Sequence, residues 1–228
     1  MTLRCPLALS FLLLLCVPAH AGDIVGFVKA EGVPAGDAPS SGGNYQSRRY
    51  KFAEKVDYEH LQDFVVYIDR PADDFPGAAV PPTPRTITQR DASFDPHVMA
   101  VVVGTVIRWP NADDIFHNVF SMSEPAKFDL GTYLKEKTPE VTFDQVGQVD
   151  VFCSIHSHMH CIIFVVPNPY FKKVDAGHRY EISGMPAGTY RVKAWQERLP
   201  TGTKVVTVPE DGQVRVDFVL GFSGLPRY

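Results

Sequence analysis

The feature that most constrains the fold of this 228-residue chain is a series of short, strand-like runs after residue 84. The runs are rich in β-branched and aromatic residues, and residues such as Gly104, Pro110 and Gly147 supply turns between them. No convincing amphipathic helix interrupts the series. Regularly spaced short strands of this kind are typical of an antiparallel sandwich. The sequence therefore predicts an all-β fold, with strands at residues 85–89, 98–103, 105–109, 117–121, 140–143, 148–152 and 161–166.

Further strand-like runs lie on both sides of this series. Before it they fall at residues 22–30 and 64–68, and after it at 180–182, 188–196, 204–208 and 213–220. Residues 32–44 have the composition of a loop, and residues 47–63 are charged, with a mixed signal that predicts a surface excursion. Five prolines in residues 71–84 predict a linker. The predicted organisation is residues 22–70, the linker 71–84, a central domain at 85–167 and a second flanking segment at 168–228.

The N-terminal residues resemble a secretory signal. Arg4 supplies a positive charge, residues 7–17 are mostly apolar, and the run from Ala19 to Ala21 fits a small-residue cleavage site. Leu15 is too large for the lipoprotein motif that Cys16 would require. Residues 1–21 are thus predicted to be a cleaved signal peptide, and the remaining chain to be exported, periplasmic or otherwise, without a membrane span.

The charge of the chain excludes two classes of partner. The formal net charge is −4 at pH 7, and the basic residues form no cluster. Nucleic acids and anionic membrane surfaces attract basic patches, so neither is an expected partner.

A short loop between two strand-like runs carries the residues with the most chemistry. Cys153, His156 and Met159 follow one another with two residues between successive members. Thiolate, imidazole and thioether are soft or borderline ligands that favour copper over magnesium or calcium. A copper site of this type requires a second histidine from elsewhere, and His117 follows a turn at residues 113–116. Two imidazoles, a thiolate and a weak axial thioether suit both Cu(I) and Cu(II).

Two segments resemble the ligand regions of cupredoxins. The segment Trp-Pro-Asn-Ala-Asp-Asp-Ile-Phe-His-Asn-Val-Phe-Ser at 109–121 resembles the first, and residues 141–156 resemble the second. The short Cys-x-x-His-x-x-Met spacing is most similar to amicyanin, whereas plastocyanin and pseudoazurin have longer spacings. The resemblance covers residues 85–166 and implies a Greek-key β-sandwich that holds one type 1 copper ion. It implies an electron-transfer carrier, not an enzyme, that exchanges electrons with redox partner proteins.

The resemblance also implies a role for individual residues. His117, Cys153 and His156 would be the equatorial ligands and Met159 the axial one. Asn118 would form a hydrogen bond towards Ser154 and tie the two ligand loops together. Phe116, Phe152 and Phe164 would exclude water or simply belong to the sandwich core.

The flanking segments resemble a second family. The run at residues 175–195, with its Asp-x-Gly-x-x-Tyr and Pro-x-Gly-x-Tyr elements, is similar to the carboxypeptidase regulatory-like, or transthyretin-like, sandwich. This resemblance implies that residues 22–70 and 168–220 form one small β-sandwich, in which the cupredoxin domain is inserted or on which it packs. The alternative is a single enlarged cupredoxin with terminal extensions.

The ligand loop departs from the usual pattern and leaves alternatives open. Ser157-His158 and His160-Cys161 replace the expected proline and bulky apolar residues, which predicts a more polar edge. His158 or His160 could replace Met159 as axial ligand or bind a second ion. Cys161 is predicted to lie in the core. His60, His97 and His178 stand alone in the sequence and are predicted to be ordinary histidines.

Two other functions compete with electron transfer. A loop dense in cysteine, histidine and methionine is also suited to copper delivery or storage. A disulfide between Cys153 and Cys161 would instead make the chain a scaffold without metal.

Overall fold

The computed structural model describes residues 21–32, 57–75, 84–175 and 177–221. The predicted signal peptide up to residue 20, nearly all of the loop at 32–44, the first part of the mixed stretch at 47–63, most of the proline-rich linker and the tail at 222–228 lie outside the described residues. The described residues form 18 strands and one short 3-10 helix, Ala72–Asp74. No α-helix occurs in these ranges, and the all-β fold is confirmed. Within them, no helix is long and apolar enough to cross a bilayer.

A central sandwich is built from the middle of the chain. One sheet has the order β6-β12-β11-β8-β9, and the facing sheet has the order β10-β7-β3. Trp109, Phe143 and Ile107 are fully buried between them. A small hairpin, β4-β5, lies beside the sheets. The strands are β3 (Arg85–Thr86), β4 (Thr88–Arg90), β5 (Ser93–Asp95), β6 (Val98–Val102), β7 (Thr105–Arg108), β8 (His117–Ser123), β9 (Ala126–Tyr133), β10 (Glu140–Phe143), β11 (Gly147–Phe152) and β12 (His160–Val166).

A flanking sandwich combines strands from both ends of the chain. Strand β1 pairs with β14, β17 and β18, and the second sheet has the order β13-β2-β15-β16. Phe64, Tyr180 and Phe218 are buried in a separate apolar core between these sheets. The strands are β1 (Ala21–Glu31), β2 (Phe64–Ile68), β13 (Phe171–Val174), β14 (Arg179–Pro186), β15 (Gly188–Gln196), β16 (Leu199–Val208), β17 (Gly212–Arg215) and β18 (Phe218–Gly221). The domain bounds drawn from the sequence stay predictions.

Strand β1 changes its partner at a glycine. Residues 22–25 pair with β17 and residues 28–31 pair with β18, both in parallel. A Cβ atom on Gly26 would lie 1.9 Å from the Val216 carbonyl oxygen. The two backbones therefore approach closely enough that only glycine fits at this position.

The two sandwiches pack against each other through β12. Its side chains alternate, so that Cys161 and Ile163 enter the core of the central sandwich, while Ile162 and Phe164 enter a third apolar cluster. The Phe164 ring stacks on Trp195 of β15 with a centroid distance of 4.4 Å. A strand covered on both faces needs a continuous apolar sequence, and β12 has one. This packing holds the loop before β12 at the boundary between the sandwiches.

Candidate metal centre

Three of the four predicted ligands meet at one end of the central sandwich. One ligand atom each from His117, Cys153 and His156 lies within 4.8 Å of the others. The Nδ1 atoms of His117 and His156 are 3.1 Å apart, and the Cys153 Sγ is 3.8 Å from the His156 Nδ1. With metal bonds of about 2.0 Å to nitrogen and 2.3 Å to sulfur, a trigonal ion would separate these atoms by about 3.5 and 3.7 Å. The three donors therefore fit one ion with small adjustments.

The second ligand loop is closed by its own backbone. Strand β11 ends at Phe152, which places Cys153 at the start of the connection to β12. The Cys153 N–H donates to the Met159 carbonyl at 3.3 Å, and the Met159 N–H donates to the His156 carbonyl at 3.0 Å. Met159 is 1% exposed and packs in the same core as Cys153. The sequence spacing of the loop thus corresponds to a tight turn with Cys153 and Met159 at its two ends.

A buried asparagine shapes the first ligand loop. The Asn111 side chain donates to the carbonyls of Ile115 and Tyr133 and accepts from the Asp113 N–H at 2.8 Å. The backbone directly before β8 is not part of a strand, and these side-chain bonds hold it in place instead. His117 begins β8 directly after this loop and is fully buried.

Sequence reasoning missed Asp113 as part of the site. Its Oδ2 is 2.8 Å from the His117 Nε2, so the carboxylate holds the ring nitrogen that does not face His156. Burial raises the pKa of Asp113, but the Ala92 N–H, the His117 ring and the Asp91 N–H donate to the carboxylate and hold that pKa below its ordinary value. A carboxylate bound to a ligand histidine orients the ring and makes it a stronger donor.

Asn118 ties the two ligand loops together, as the sequence predicts. Its Oδ1 accepts from the Ser154 N–H at 3.3 Å, and its backbone N–H lies 3.5 Å from the Cys153 Sγ. The side-chain amide of Asn118 also donates to Asp129 at 2.7 Å. The Gly131 N–H and this amide lower the pKa of Asp129, so the acceptor is a carboxylate. Asn118 of β8 therefore holds Cys153 and Ser154, which follow β11, in a fixed position.

The structure does not contain the disulfide that was one alternative. Cys153 and Cys161 are both free and both buried. Cys161 is fully buried in the core of the central sandwich, as predicted. Burial, together with the charge of Asp150, raises the pKa of the Cys161 thiol far above its ordinary value. Cys161 is therefore a neutral core residue and a poor ligand.

The other loop histidines occupy different surroundings. His158 is exposed, and its ring lies 6.1 Å from that of His156. The His160 Nε2 is 3.0 Å from Asp150, and its ring stacks on Phe152 at 4.8 Å. His160 is thus held on the side of β12 that faces away from His117. The choice of Met159 as the axial ligand stays a prediction.

The edge of the centre exposes apolar side chains beside the polar Ser157 and His158. Ile115 and Phe116 on the first ligand loop are 48% and 54% exposed, and Ile155 on the second is 50% exposed. Phe116 and Phe152 do not exclude water from the interior, because Phe152 is also 39% exposed. Phe164 is buried, but between the two sandwiches. These phenylalanines are therefore surface and interface residues, not a shield around the ligands.

His97, which stands alone in the sequence, has two partners in the structure. Its ring lies within ligand distance of His160 and Glu197, and its Nε2 is 2.9 Å from the Glu197 carboxylate. The hydrogen bond to Glu197 raises the pKa of His97 and outweighs the opposing effect of burial. The three residues are far apart in the sequence, so no spacing rule could have grouped them.

Comparison with known proteins gives partial structural likenesses. No family model and no curated protein matches the chain. A Cu-containing nitrite reductase (NirK) from Thermus scotoductus SA-01 is 28% identical over 39% of this chain, with a TM-score of 0.36, and the match spans only 23% of that enzyme. A purple cupredoxin from Nitrosopumilus maritimus is 21% identical over 36% of this chain and 99% of its own, with a TM-score of 0.33. A reduced mutant of amicyanin is 20% identical over 44% of this chain and 98% of its own, with a TM-score of 0.35.

The class of the domain follows from the sandwich and the ligand set. Two facing β-sheets carry a histidine at the start of one strand and a Cys-x-x-His-x-x-Met loop between two others. The central sandwich is a cupredoxin-like domain. In this chain a flanking β-sandwich packs against it.

Proposed function

We propose that this protein is an exported mononuclear type 1 copper protein that carries single electrons between redox partners and is not an enzyme. The observation that carries the proposal is the convergence of His117, Cys153 and His156 within 4.8 Å of one another. Two imidazoles and one thiolate are a donor set that accommodates Cu(I) and Cu(II) with little change of geometry. Copper bound there would supply the redox change, while the chain fixes the ligands and their surroundings.

The surroundings of the ligands favour a rigid centre. His117 is fully buried, Cys153 is 5% exposed and Met159 is 1% exposed. The hydrogen bond from the His117 ring to Asp113 and the one from the Asn118 N–H to Cys153 hold the ligands at two further points. A centre that is fixed in this way needs little rearrangement when an electron arrives or leaves.

The exposed edge offers a route for electrons. His156 is the least buried of the three clustered ligands. Ile115, Phe116 and Ile155 on the same two loops are about half exposed and apolar. An apolar patch beside an accessible ligand suits brief contact with a redox protein, because interface cores are poor in charged residues. We place the docking surface for the redox partners here.

Copper delivery is the second candidate, because the loop combines several soft donors. The surroundings of the extra donors favour the carrier. Cys161 is buried and neutral, and His160 is bound to Asp150. Cys161 therefore cannot take an ion from the loop, and the bond to Asp150 holds His160 on the side that faces away from His117. Export of the chain is part of the proposal and rests on the resemblance of residues 1–21 to a signal peptide.

A spectrum tests the metal assignment. The mature protein is expected to bind one Cu(II) at this centre and to show an intense thiolate-to-copper band at about 600 nm. His117→Ala is expected to abolish the band. His158→Ala is the matched control, since it removes an exposed histidine of the same region and should leave the band unchanged. A wild-type protein that takes up no copper would refute the proposal and leave a metal-free scaffold.

A redox cycle separates the carrier from the delivery protein. The copper-loaded protein is reduced with ascorbate, passed through a desalting column and reoxidised with ferricyanide. A carrier retains its copper, so the band should return in full. Loss of copper on reduction, or its transfer to a Cu(I) chelator at low concentration, would favour delivery.

A further inference from the structure

We propose that His97, His160 and Glu197 form a second metal site for a divalent ion such as Zn(II) or Cu(II). The site joins the two sandwiches beside residues 153–159, which we call the copper loop. One ring nitrogen from each histidine and one carboxylate oxygen lie within 4.8 Å of one another. His97 and His160 belong to the central sandwich, and Glu197 lies in the turn between β15 and β16 of the flanking sandwich. The site does not depend on the copper centre for any ligand.

The hydrogen bonds of His97 direct one nitrogen at the carboxylate. Its Nδ1 lies 3.2 Å from the His160 carbonyl oxygen, which can only accept a hydrogen bond. This bond places the proton on Nδ1 in the neutral ring and leaves the lone pair on Nε2. The Nε2 is 2.9 Å from the Glu197 Oε2. Two donors for a cation therefore face each other across a short gap.

The second histidine has the partner that a ligand histidine needs. The His160 Nε2 is 3.0 Å from Asp150, whose carboxylate also accepts from the Gln148 side chain. Its ring is stacked on Phe152 with an interplanar angle of 22°. We assign the ion to the other nitrogen of His160, because carboxylates commonly orient the ligand histidines of zinc sites in this way.

The distances and donor types define the ion. Two ligands of a tetrahedral zinc ion with bonds of 2.0–2.1 Å are separated by about 3.3 Å. The contacts in the cluster extend from 2.9 Å to at most 4.8 Å, so they bracket this value. Two imidazoles and a carboxylate suit Zn(II) and Cu(II), whereas Cu(I) prefers sulfur ligands. Side-chain exposures of 45% for His97, 26% for His160 and 31% for Glu197 leave room for water at a fourth position.

The position of the site gives the ion a structural consequence. His160 directly follows Met159 and begins the strand that packs on both sandwiches. An ion bound to Glu197 would connect the turn after β15 to the end of the copper loop. It would therefore stabilise the interface between the sandwiches and restrain the loop that carries Cys153 and Met159.

The test is zinc binding to protein loaded with one equivalent of Cu(I), which prefers the sulfur ligand of the first centre and leaves the second site free. Zn(II) is titrated into wild type, His97→Gln and Glu197→Gln, and the bound zinc is counted by calorimetry and metal analysis. Wild type is expected to bind one more Zn(II) per chain than either variant. Because the result is a difference between proteins, zinc that enters the copper centre does not affect it. Asp150→Asn should retain the site with roughly 10- to 100-fold weaker affinity.

A matched control uses another histidine–carboxylate pair. His60 is 2.8 Å from Asp57, and no third ligand lies beside this pair in the part of the chain that the structure describes. His60→Gln should bind as much Zn(II) as wild type. Zinc should also raise the melting temperature of wild type and leave that of Glu197→Gln unchanged. Equal zinc binding by wild type, His97→Gln and Glu197→Gln would overturn the proposal and leave an ordinary ion pair.

Discussion

Replacing Asp113 by asparagine is expected to raise the reduction potential of the copper centre. The Asp113 carboxylate accepts from the His117 Nε2 at 2.8 Å. Its negative charge makes His117 a stronger donor and stabilises Cu(II) more than Cu(I). Asparagine keeps a hydrogen-bond acceptor of the same size but loses the charge. The reduced state is then relatively favoured, so the potential must rise.

The size of the rise follows from the difference between charged and neutral hydrogen bonds. A hydrogen bond to a charged group contributes about 1.5–3 kcal/mol and a neutral one about 1 kcal/mol. We take a difference of about 1 kcal/mol between the two oxidation states, because the Asp113 side chain is 15% exposed and water screens part of its charge. A tenfold change in the equilibrium constant of a one-electron couple corresponds to about 59 mV. The expected rise is therefore about 40 mV.

Spectroelectrochemistry of the copper-loaded protein measures this change. The blue band of the variant must be retained, which shows that the ligands are still in place. Asp114→Asn is the control, because this neighbouring carboxylate is 92% exposed and contacts Lys135 instead of a ligand. Its potential should shift by less than about 10 mV, since exposed charges are screened. An unchanged or lower potential in Asp113→Asn would refute the reasoning.

Three further predictions concern stability. Ala92 has a φ of 51°, so Ala92→Gly should stabilise the protein by up to about 1 kcal/mol, and an unchanged denaturant midpoint would contradict this. Trp195→Ala should cost about 3–5 kcal/mol, because it empties the interface between the sandwiches, and a thermal melt with little change would show that the interface contributes little. Burial raises the pKa of Asp217, but bonds from the Phe27 N–H and Arg215 outweigh it and lower that pKa. The ionised Asp217 therefore stabilises the folded protein at pH values above the ordinary pKa, and this stabilisation is lost as the pH falls through the lowered pKa. Asp217→Asn should destabilise the protein at neutral pH and make its stability less dependent on pH below about pH 4. Equal acid sensitivity in both proteins would exclude this role.

Most strands could be predicted, but three could not. Strand β9 (Ala126–Tyr133) was missed although its sequence alternates: Ala126, Phe128 and Leu130 pack against the core of the central sandwich, and the residues between them are exposed. The short strands β5 (Ser93–Asp95) and β13 (Phe171–Val174) were missed as well, because they are too short to show alternation. A strand signal depends on the burial of alternate side chains, and segments of three or four residues show too few alternations to carry it.

The sequence by itself determined the chemistry of the first centre. Cys153, His156 and Met159 lie on one short loop, so their spacing alone brings them to one place, and only His117 had to come from a distant strand. Only the tertiary structure shows that Asp113 and Glu197 belong to the two sites and that Ile115, Phe116 and Ile155 form an exposed patch. Their partners are brought near by the packing of strands that lie far apart in the sequence. Local spacing constrains which side chains share a loop, whereas the meeting of His97 with Glu197 exists only because β12 packs the two sandwiches together.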